Sequence, residues 1–215
     1  MSVKNNLELG KNRGLARFFV RMIRRMYTAA YEKRYNIRTG FEKIHSEEAR
    51  PSDSQPYEPT DYLLIRGFFG PLKLQPSDVV FDIGCGMGRV LCVFARMNIK
   101  KCIGVELSPK LAAIAADNAA RLHARKAPIE VLVTDARTAD YSEGTVFWLF
   151  NPFGASILQA MLDQIEKTLI SSPRKVRFAY VNPVHENVFQ NCSWLKCIGR
   201  KSPWYSKKTV TYWGN

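Results

Sequence analysis

The sequence lacks the features that mark membrane, secreted and zinc-binding proteins. No apolar run among its 215 residues reaches the about 18 that a bilayer span needs, and residues 1–14 contain no signal-peptide core. The five cysteines are an odd number without a C-x-x-C pair, which favours free thiols in a reducing compartment. None of the three histidines lies at ligand spacing from Cys192 and Cys197, so no metal site is predicted. We therefore expect a cytoplasmic protein without a transmembrane segment.

Acidic residues are scarce at both ends of the chain. Residues 57–170 hold 12 basic and 12 acidic residues, and residues 1–56 hold 12 basic and 6 acidic ones. Residues 171–215 hold 8 basic residues and a single acidic one, Glu186. A neutral centre with basic ends predicts attraction to an anionic partner, such as a nucleic acid, an acidic protein surface or anionic lipid. The alternative is that the basic residues only keep the protein in solution.

The N-terminal part of the sequence is predicted to be a basic helical extension with a linker. Residues 15–35 are predicted to form a helix, because apolar and basic side chains recur on opposite sides at helical spacing: Phe18, Phe19, Met22, Ile23, Met26 and Ala30 against Arg17, Arg21, Arg24, Arg25 and Lys33. The favoured expectation is that its apolar face packs on the core; the alternative is peripheral contact with an anionic membrane surface. Residues 49–60 are turn-rich, and Thr60 is the predicted cap of a short helix after them. The predicted division is an extension over 1–56 and a globular domain over 57–215.

Strand and helix patterns alternate through the predicted domain. Apolar runs of strand length, such as "DVVFDIG" and "TVFWLFN", are separated by helical patterns such as "SPKLAAIAADNAARLHA", which Ser108 is predicted to cap. The last two strands, "WLKCIG" and "TVTYWG", are too close together for a crossover helix and predict an antiparallel hairpin. The predicted fold is therefore α/β and Rossmann-like, with a seven-stranded, mostly parallel sheet between helices.

A glycine-rich loop follows the first predicted strand. In "VVFDIGCGMGRVL", Gly84, Gly86 and Gly88 come between this strand and the next helix, where a ligand can approach bare backbone. A dinucleotide fingerprint would need its third glycine at the position of Arg89, which makes a nicotinamide-dependent oxidoreductase a distant possibility.

Polar residues lie at or near the ends of the neighbouring strands, where ligands of open α/β sheets bind. Glu106 can accept from both hydroxyls of a ribose, and Asp135 can accept from an exocyclic amine such as that of adenine. Asp82 can orient the loop or accept from an ammonium, and Asn151 ends the fourth predicted strand. With the glycine loop, they predict a nucleoside-containing cofactor at this edge.

At these motifs the chain resembles the class I S-adenosylmethionine-dependent methyltransferases, over roughly 57–215. "VVFDIGCGMG" is similar to their first motif, "GVELSP" to their ribose-binding acid, "VTDA" to their adenine-binding turn and "NPFG" to their substrate motif. The resemblance implies that S-adenosyl-L-methionine is the cofactor. It implies that the glycines line its methionine and ribose, that Glu106 holds the ribose, and that Asp135 and the backbone of Ala136 read adenine. Tyr57 and Thr60, in "YEPTDYLL", are implied contacts at the methionine end, and "EKRYNIRTG" is also similar to bacterial members.

The motif "NPFG" bears on the methyl acceptor. In amine-methylating members of the family, N-P-P-[FY] directs an Asn and a prolyl carbonyl at the target nitrogen, and the aromatic ring packs on the target group. Here Asn151, Pro152 and Phe153 are the corresponding catalytic candidates, although the aromatic residue comes one position early. The alternative is that Asn151 caps the following helix. Tyr180 is a further candidate for the acceptor site, and His185 is either a base or a solvated residue at a helix start.

The resemblance leaves the acceptor open. The leading prediction is N-directed transfer to a protein side chain or another amine; the alternatives are RNA or DNA methylation, and a non-catalytic cofactor-binding or assembly module. The connection at 199–208 is predicted to lie over the substrate side. Its cations lie beside aromatic residues, a combination that suits single-stranded nucleic acid or an acidic protein. The alternative is a plain solvated hairpin. The cations and aromatics are Arg200, Lys201, Lys207 and Lys208 around Trp204 and Tyr205.

Overall fold

The computed structural model describes residues 2–40, 57–203 and 206–215, with side chains from residue 19 onward. Its helices are α1 (Ser2–Tyr35), α2 (Tyr62–Phe68), α3 (Arg89–Phe94), α4 (Pro109–Arg121), α5 (Ala155–Ser171) and α6 (Glu186–Gln190). A 3-10 turn spans Gly70–Leu72. The strands are β1 (Val79–Ile83), β2 (Lys101–Glu106), β3 (Ile129–Val133), β4 (Val146–Phe150), β5 (Arg177–Val181), β6 (Lys196–Lys201) and β7 (Val210–Gly214). Each segment predicted as a helix or strand has the predicted type.

The seven strands form one sheet in the order β3-β2-β1-β4-β5-β7-β6. Strands β1 to β5 are parallel, and β7 lies antiparallel between β5 and β6. The predicted Rossmann-like sheet and its C-terminal hairpin are confirmed. Because β1 and β4 are neighbours, the order reverses between them, and the loops after both strands meet at the position where such sheets bind ligands.

Side chains alternate between two packed layers, as a strand period of two requires. Trp148 and Phe94 belong to the layer formed with α2, α3 and α4. Phe147 and Phe178 belong to the layer under α5 and α6, and their rings stack with centroids 4.8 Å apart. The sheet is therefore held rigidly from both faces, so that the loops at its carboxyl edge start from fixed points.

Two predicted helix caps have different outcomes. Ser108 caps α4 as predicted and accepts a hydrogen bond from the backbone N of Leu111 at 3.4 Å. The cap predicted at Thr60 is wrong, because Asp61 caps α2 and accepts from the backbone N of Leu63 at 2.8 Å. Thr60 is instead buried beside the glycine loop.

Helix α1 begins at Ser2, well before the predicted start at residue 15. The favoured expectation that its apolar face packs on the core is wrong for Met22, Ile23 and Met26, which are 40%, 56% and 64% exposed. Packing begins near the helix end, where Tyr31 is buried. Residues 41–56 lie outside the described residues, so the division at 56/57 stays a prediction. In the described ranges, no helix is both long and apolar enough to span a bilayer.

Candidate active site

The glycine loop joins β1 to α3 and is in contact with two other predicted site residues. Gly84 and Gly86 both have positive φ, 71° and 54°, which disfavours other residues there. A Cβ on Gly84 would lie 2.7 Å from the Cβ of Pro152, and a Cβ on Gly86 would lie 2.2 Å from the ring carbon Cε2 of Tyr57. These two positions are therefore glycine because the predicted catalytic proline and the predicted methionine-side tyrosine pack directly on the loop.

Glu106 holds the loop from the end of β2. Its Oε2 accepts from the backbone N of Gly86 at 2.8 Å, and its Oε1 accepts from the backbone N of Ser108 at 2.9 Å. Each carboxylate oxygen can accept about two hydrogen bonds, so both keep the capacity for a further donor. The carboxylate is thus positioned beside the loop with the acceptor chemistry that two ribose hydroxyls need.

Asp82 lies on β1 beneath the loop, with a relative exposure of only 3%. Burial, reinforced by the nearby charge of Glu106, raises the pKa of the Asp82 carboxyl well above its usual range. A cationic group brought next to this carboxyl would favour its ionised form. Acceptance from an ammonium group by Asp82 stays a prediction.

Asp135 follows β3 and is held by Arg137, which the sequence analysis did not single out. Oδ1 of Asp135 accepts from the backbone N and the Nε of Arg137, at 2.8 and 3.0 Å, and Oδ2 accepts from the second guanidinium nitrogen at 2.6 Å. These bonds lower the pKa of Asp135. Oδ2 keeps room for one further donor, such as an exocyclic amine. The carbonyl of Ala136 accepts from the Tyr141 hydroxyl at 2.7 Å.

Arg89 was not predicted as a site residue, although a single charged residue at the start of an apolar helix indicates a buried polar contact. Its side chain is 6% exposed and donates to Thr39 Oγ1 at 2.7 Å, to the Thr60 carbonyl at 3.1 Å and to Glu32 Oε1 at 3.3 Å. The guanidinium carbon also lies 4.6 Å from the centroid of the Tyr62 ring. Arg89 thereby fixes the end of the N-terminal segment and the 57–60 segment against the glycine loop.

Two further contacts complete a wall around the glycine loop, which we define as Glu32, Arg38, Thr39, Tyr57, Thr60, Arg89 and Asn118. The Tyr57 hydroxyl donates to the carbonyl of Thr39 at 3.0 Å, which holds the ring over Gly86. The Asn118 side chain, fully buried on α4, donates to the Arg38 and Met87 carbonyls and accepts from the Arg38 backbone N at 2.8 Å. Residues predicted to belong to the extension therefore form part of the wall around the loop.

Asn151 and Pro152 follow β4, and Pro152 packs on the glycine loop. Asn151 has a left-handed backbone with φ 40°, and its Oδ1 accepts from the Tyr180 hydroxyl at 3.1 Å. The same hydroxyl accepts from the backbone N of His185 at 3.2 Å. Burial raises the pKa of Tyr180, so that it remains a donor at neutral pH. The alternative that Asn151 caps α5 is wrong, because Gly154 is the cap residue.

The two aromatic residues that flank the Asn-Pro pair, Phe150 and Phe153, have different surroundings. Phe153 is 7% exposed and packs in the core layer under α5, so that stacking of its ring on an acceptor stays a prediction. The ring of Phe150, at the end of β4, lies with its centroid 4.8 Å from Lys208 Nζ. This ammonium also lies 3.3 Å from Glu58 Oε1. A lysine side chain of the protein itself therefore rests on an aromatic face one residue before Asn151.

The hairpin between β6 and β7 extends from the same edge of the sheet as the site. Two of its four cations are paired, since Arg200 contacts both carboxylate oxygens of Glu186 at 2.7 and 2.6 Å and Lys208 contacts Glu58. Lys201 donates to the Gly67 carbonyl at 2.7 Å. Trp204 and Tyr205 lie outside the described residues, so the predicted aromatic part of this surface stays a prediction.

The chain was compared with known proteins. Residues 80–172 match a family model described as "Methyltransferase domain". A curated relative is a protein-lysine N-methyltransferase of Saccharolobus islandicus, 39% identical over 54 residues. That match covers 25% of this chain and 34% of the relative, so the chain aligns with only about a third of the relative's length.

Solved structures share the fold. One is an RNA methyltransferase from Salinibacter ruber in complex with S-adenosyl-L-homocysteine, with 22% identity, a TM-score of 0.56 and coverage of 73% of this chain and 93% of that one. Another is magnesium protoporphyrin IX methyltransferase from Synechocystis PCC 6803 with bound S-adenosylmethionine, with 14% identity, a TM-score of 0.51 and coverage of 71% and 76%. At these identities the likeness concerns the fold alone.

Proposed function

We propose that this chain is a class I S-adenosylmethionine-dependent methyltransferase whose catalytic domain includes residues 80–172, and that it methylates an amine nitrogen, above all the side chain of a protein lysine, in the cytoplasm. The cofactor supplies a methyl group on a positively charged sulfur, so that the protein has mainly to align the acceptor and exclude water.

The residues present fit this cofactor. The backbone of the glycine loop would lie against its methionine and ribose, the spare acceptor sites of Glu106 suit the ribose, and buried Asp82 suits the ammonium. Asp135 would accept from the adenine amine through Oδ2, beside the backbone of Ala136. Tyr57 and Thr60 would close the methionine end, since Tyr57 lies on Gly86 and Thr60 holds Arg89.

The observation that carries the proposal is the contact between Pro152 and Gly84. It brings the Asn-Pro pair after β4 into van der Waals contact with the loop that would hold the cofactor. The loop and the acceptor-binding residues are therefore adjacent parts of one site. Such adjacency is what transfer between two bound groups requires.

The amide of Asn151 suits an N–H donor. Tyr180 uses one acceptor position of Oδ1 and thereby fixes the amide, and a second position is left for the acceptor nitrogen. A lysine must first lose a proton from an ordinary pKa of about 10.4. Partial burial of the acceptor lowers that pKa, and His185, whose backbone N–H donates to the Tyr180 hydroxyl, is the candidate base.

The placement of Lys208 favours a lysine acceptor. The rim formed by Phe150 and Glu58 already holds an alkylammonium group by an aromatic face and a carboxylate. The curated relative is likewise described as a protein-lysine N-methyltransferase, over the 54 matched residues. A substrate lysine that displaces Lys208 would meet the same two groups next to Asn151.

Labelled transfer tests the proposal. The protein is incubated with cofactor labelled in its methyl group and with a cell lysate, and we expect label in the protein fraction for the wild type and for Asn98→Ala. Asn98 is an exposed amide before β2, at the opposite edge of the sheet. Asn151→Ala should lose most of the transfer while it still binds the cofactor in calorimetry. Equal transfer by Asn151→Ala and the wild type would contradict the assigned role.

RNA methylation is the second candidate. It is favoured by the basic ends of the chain and by Lys201 and Lys207 at the site edge, but the pairing of Arg200 and Lys208 with carboxylates reduces the charge available to phosphates. Treating the labelled lysate with nuclease or with protease separates the two candidates. Cofactor binding without transfer to either fraction would instead support the non-catalytic module.

A further inference from the structure

Helix α1 is fixed to the domain along one face near its C-terminal end. The Tyr31 ring stacks on Tyr62 with centroids 4.1 Å apart, and the Tyr27 hydroxyl accepts from Arg66 at 2.9 Å. Arg24 Nε lies 3.4 Å from Asp61 Oδ2. Because the partners in all these contacts lie in α2 or are Asp61, directly before it, the contacts determine which side of α1 faces the rest of the protein.

A second side of α1 carries an exposed apolar stripe, which we define as Met22, Ile23 and Met26. Met26 lies four positions after Met22 and three after Ile23, so the three side chains share one helix face. Their relative exposures run from 40% to 64%. Tyr27 and Tyr31 occupy the face towards α2, so the described contacts that hold α1 on the domain leave these three side chains exposed.

Basic residues border the stripe. Arg21 and Arg25 are exposed and lie one helical turn apart beside Met22. From residue 9 to residue 31 the sequence contains six lysines and arginines and no acidic residue. An apolar stripe with a cationic border is the pattern of a helix that lies in the plane of a membrane, with its apolar side chains among the acyl chains and its arginines at the phosphates.

We infer that the apolar stripe of α1, with Arg21 and Arg25, docks the protein on an anionic lipid surface. Charge decides between the possible occupants. A second copy of the chain would bring another α1 with the same excess of arginines, and like charges oppose that pairing. Anionic lipid offers both an apolar layer and the opposite charge. This inference does not depend on the identity of the methyl acceptor.

Sedimentation of the full chain with lipid vesicles tests the inference. Vesicles are made of phosphatidylcholine alone or of phosphatidylcholine mixed with phosphatidylglycerol. We expect binding to the mixed vesicles, little to the neutral ones, and release as salt approaches about 1 M. The triple variant Met22→Ser, Ile23→Ser, Met26→Ser and the double variant Arg21→Gln, Arg25→Gln should each lower the lipid partition coefficient by about tenfold or more.

A matched control uses three exposed apolar residues elsewhere, in the variant Ile170→Ser, Val184→Ser, Ile198→Ser, which should bind vesicles as the wild type does. Failure of the wild type to bind anionic vesicles would overturn the inference, and so would wild-type binding by the stripe variant. A dimer in sedimentation velocity that the stripe variant abolishes would assign the stripe to a second copy instead. A lower unfolding midpoint of the stripe variant would show that the stripe packs on the domain, which also contradicts the inference.

Discussion

Pro152 packs on Gly84 so closely that a side chain at Gly84 would overlap the proline ring, with a Cβ–Cβ distance of 2.7 Å. The left-handed backbone conformation at Gly84 would also destabilise the folded state by about 1–2 kcal/mol with any other residue there. We therefore expect Gly84→Ala to lower the stability and to displace the Asn-Pro pair, so that calorimetry shows much weaker S-adenosylmethionine binding. Gly70→Ala is the control, because a Cβ there meets no atom within 4 Å. A Gly84→Ala variant that binds S-adenosylmethionine with wild-type affinity would contradict the role of this contact in the site.

Glu106 gives a second prediction. Glu106→Ala removes the acceptor of the Gly86 and Ser108 backbone N–H groups as well as the proposed ribose contact. The loss of one charge-assisted hydrogen bond should weaken cofactor binding by about 1.5–3 kcal/mol. Glu130→Ala, which removes an exposed carboxylate paired with Lys101, should leave the affinity unchanged. Equal affinities for the two variants would exclude Glu106 from the cofactor site.

The wall around the glycine loop depends on Arg89. Arg89→Met leaves Glu32 partly buried without its cation, and breaking such a pair costs about 3 kcal/mol. Urea unfolding should show this loss, and the double variant Arg89→Met, Glu32→Leu should recover part of it. Lys101→Met is the control, since its partners Glu130 and Glu143 are 48% and 41% exposed and each such pair contributes less than about 1 kcal/mol. Equal losses for the Arg89 and Lys101 variants would contradict the role of the wall.

The sequence predicted most of the fold because its signals are local. Apolar runs bounded by Gly, Pro, Asn and Asp mark each strand, and Ser108 with Pro109 marks the start of α4. The wall could not be predicted in this way, since Arg89 is 50 positions from Thr39 and 57 from Glu32. Periodicity likewise identified the apolar face of α1, but only the packing of α2 shows which side of α1 is covered.

Asp82 makes stability depend on pH. Burial raises its pKa in the folded protein above the unfolded value of 3.8. A raised pKa means that the folded state holds its proton more tightly, so the stabilising contribution is complete below that unfolded value and is lost as pH rises through the folded pKa. Asp82→Asn should therefore gain stability relative to the wild type as pH rises, in urea titrations without cofactor. A difference that does not change with pH would contradict the shift. The same variant should bind the cofactor more weakly.

Tyr180 is predicted to position Asn151. Tyr180→Phe keeps the packed ring but removes the donor to Asn151 Oδ1 and the acceptor for the His185 backbone N–H. We expect kcat for methyl transfer to fall by about tenfold, the effect of one misdirected polar group, with cofactor affinity unchanged. Tyr141→Phe, which removes the bond to the Ala136 carbonyl, should act on cofactor affinity instead. A Tyr180→Phe variant with wild-type kcat would show that Asn151 needs no such support.

Chemical identification of the methylated atom tests the central claim most directly. Lysate proteins labelled by the wild type are hydrolysed to amino acids, the nucleic acids of the same reaction are digested to nucleosides, and both fractions are resolved by mass spectrometry. We expect methyl groups on the side-chain nitrogen of lysine and their loss with Asn151→Ala. Label confined to nucleosides, or to a base-labile carboxyl ester, would exclude a lysine acceptor.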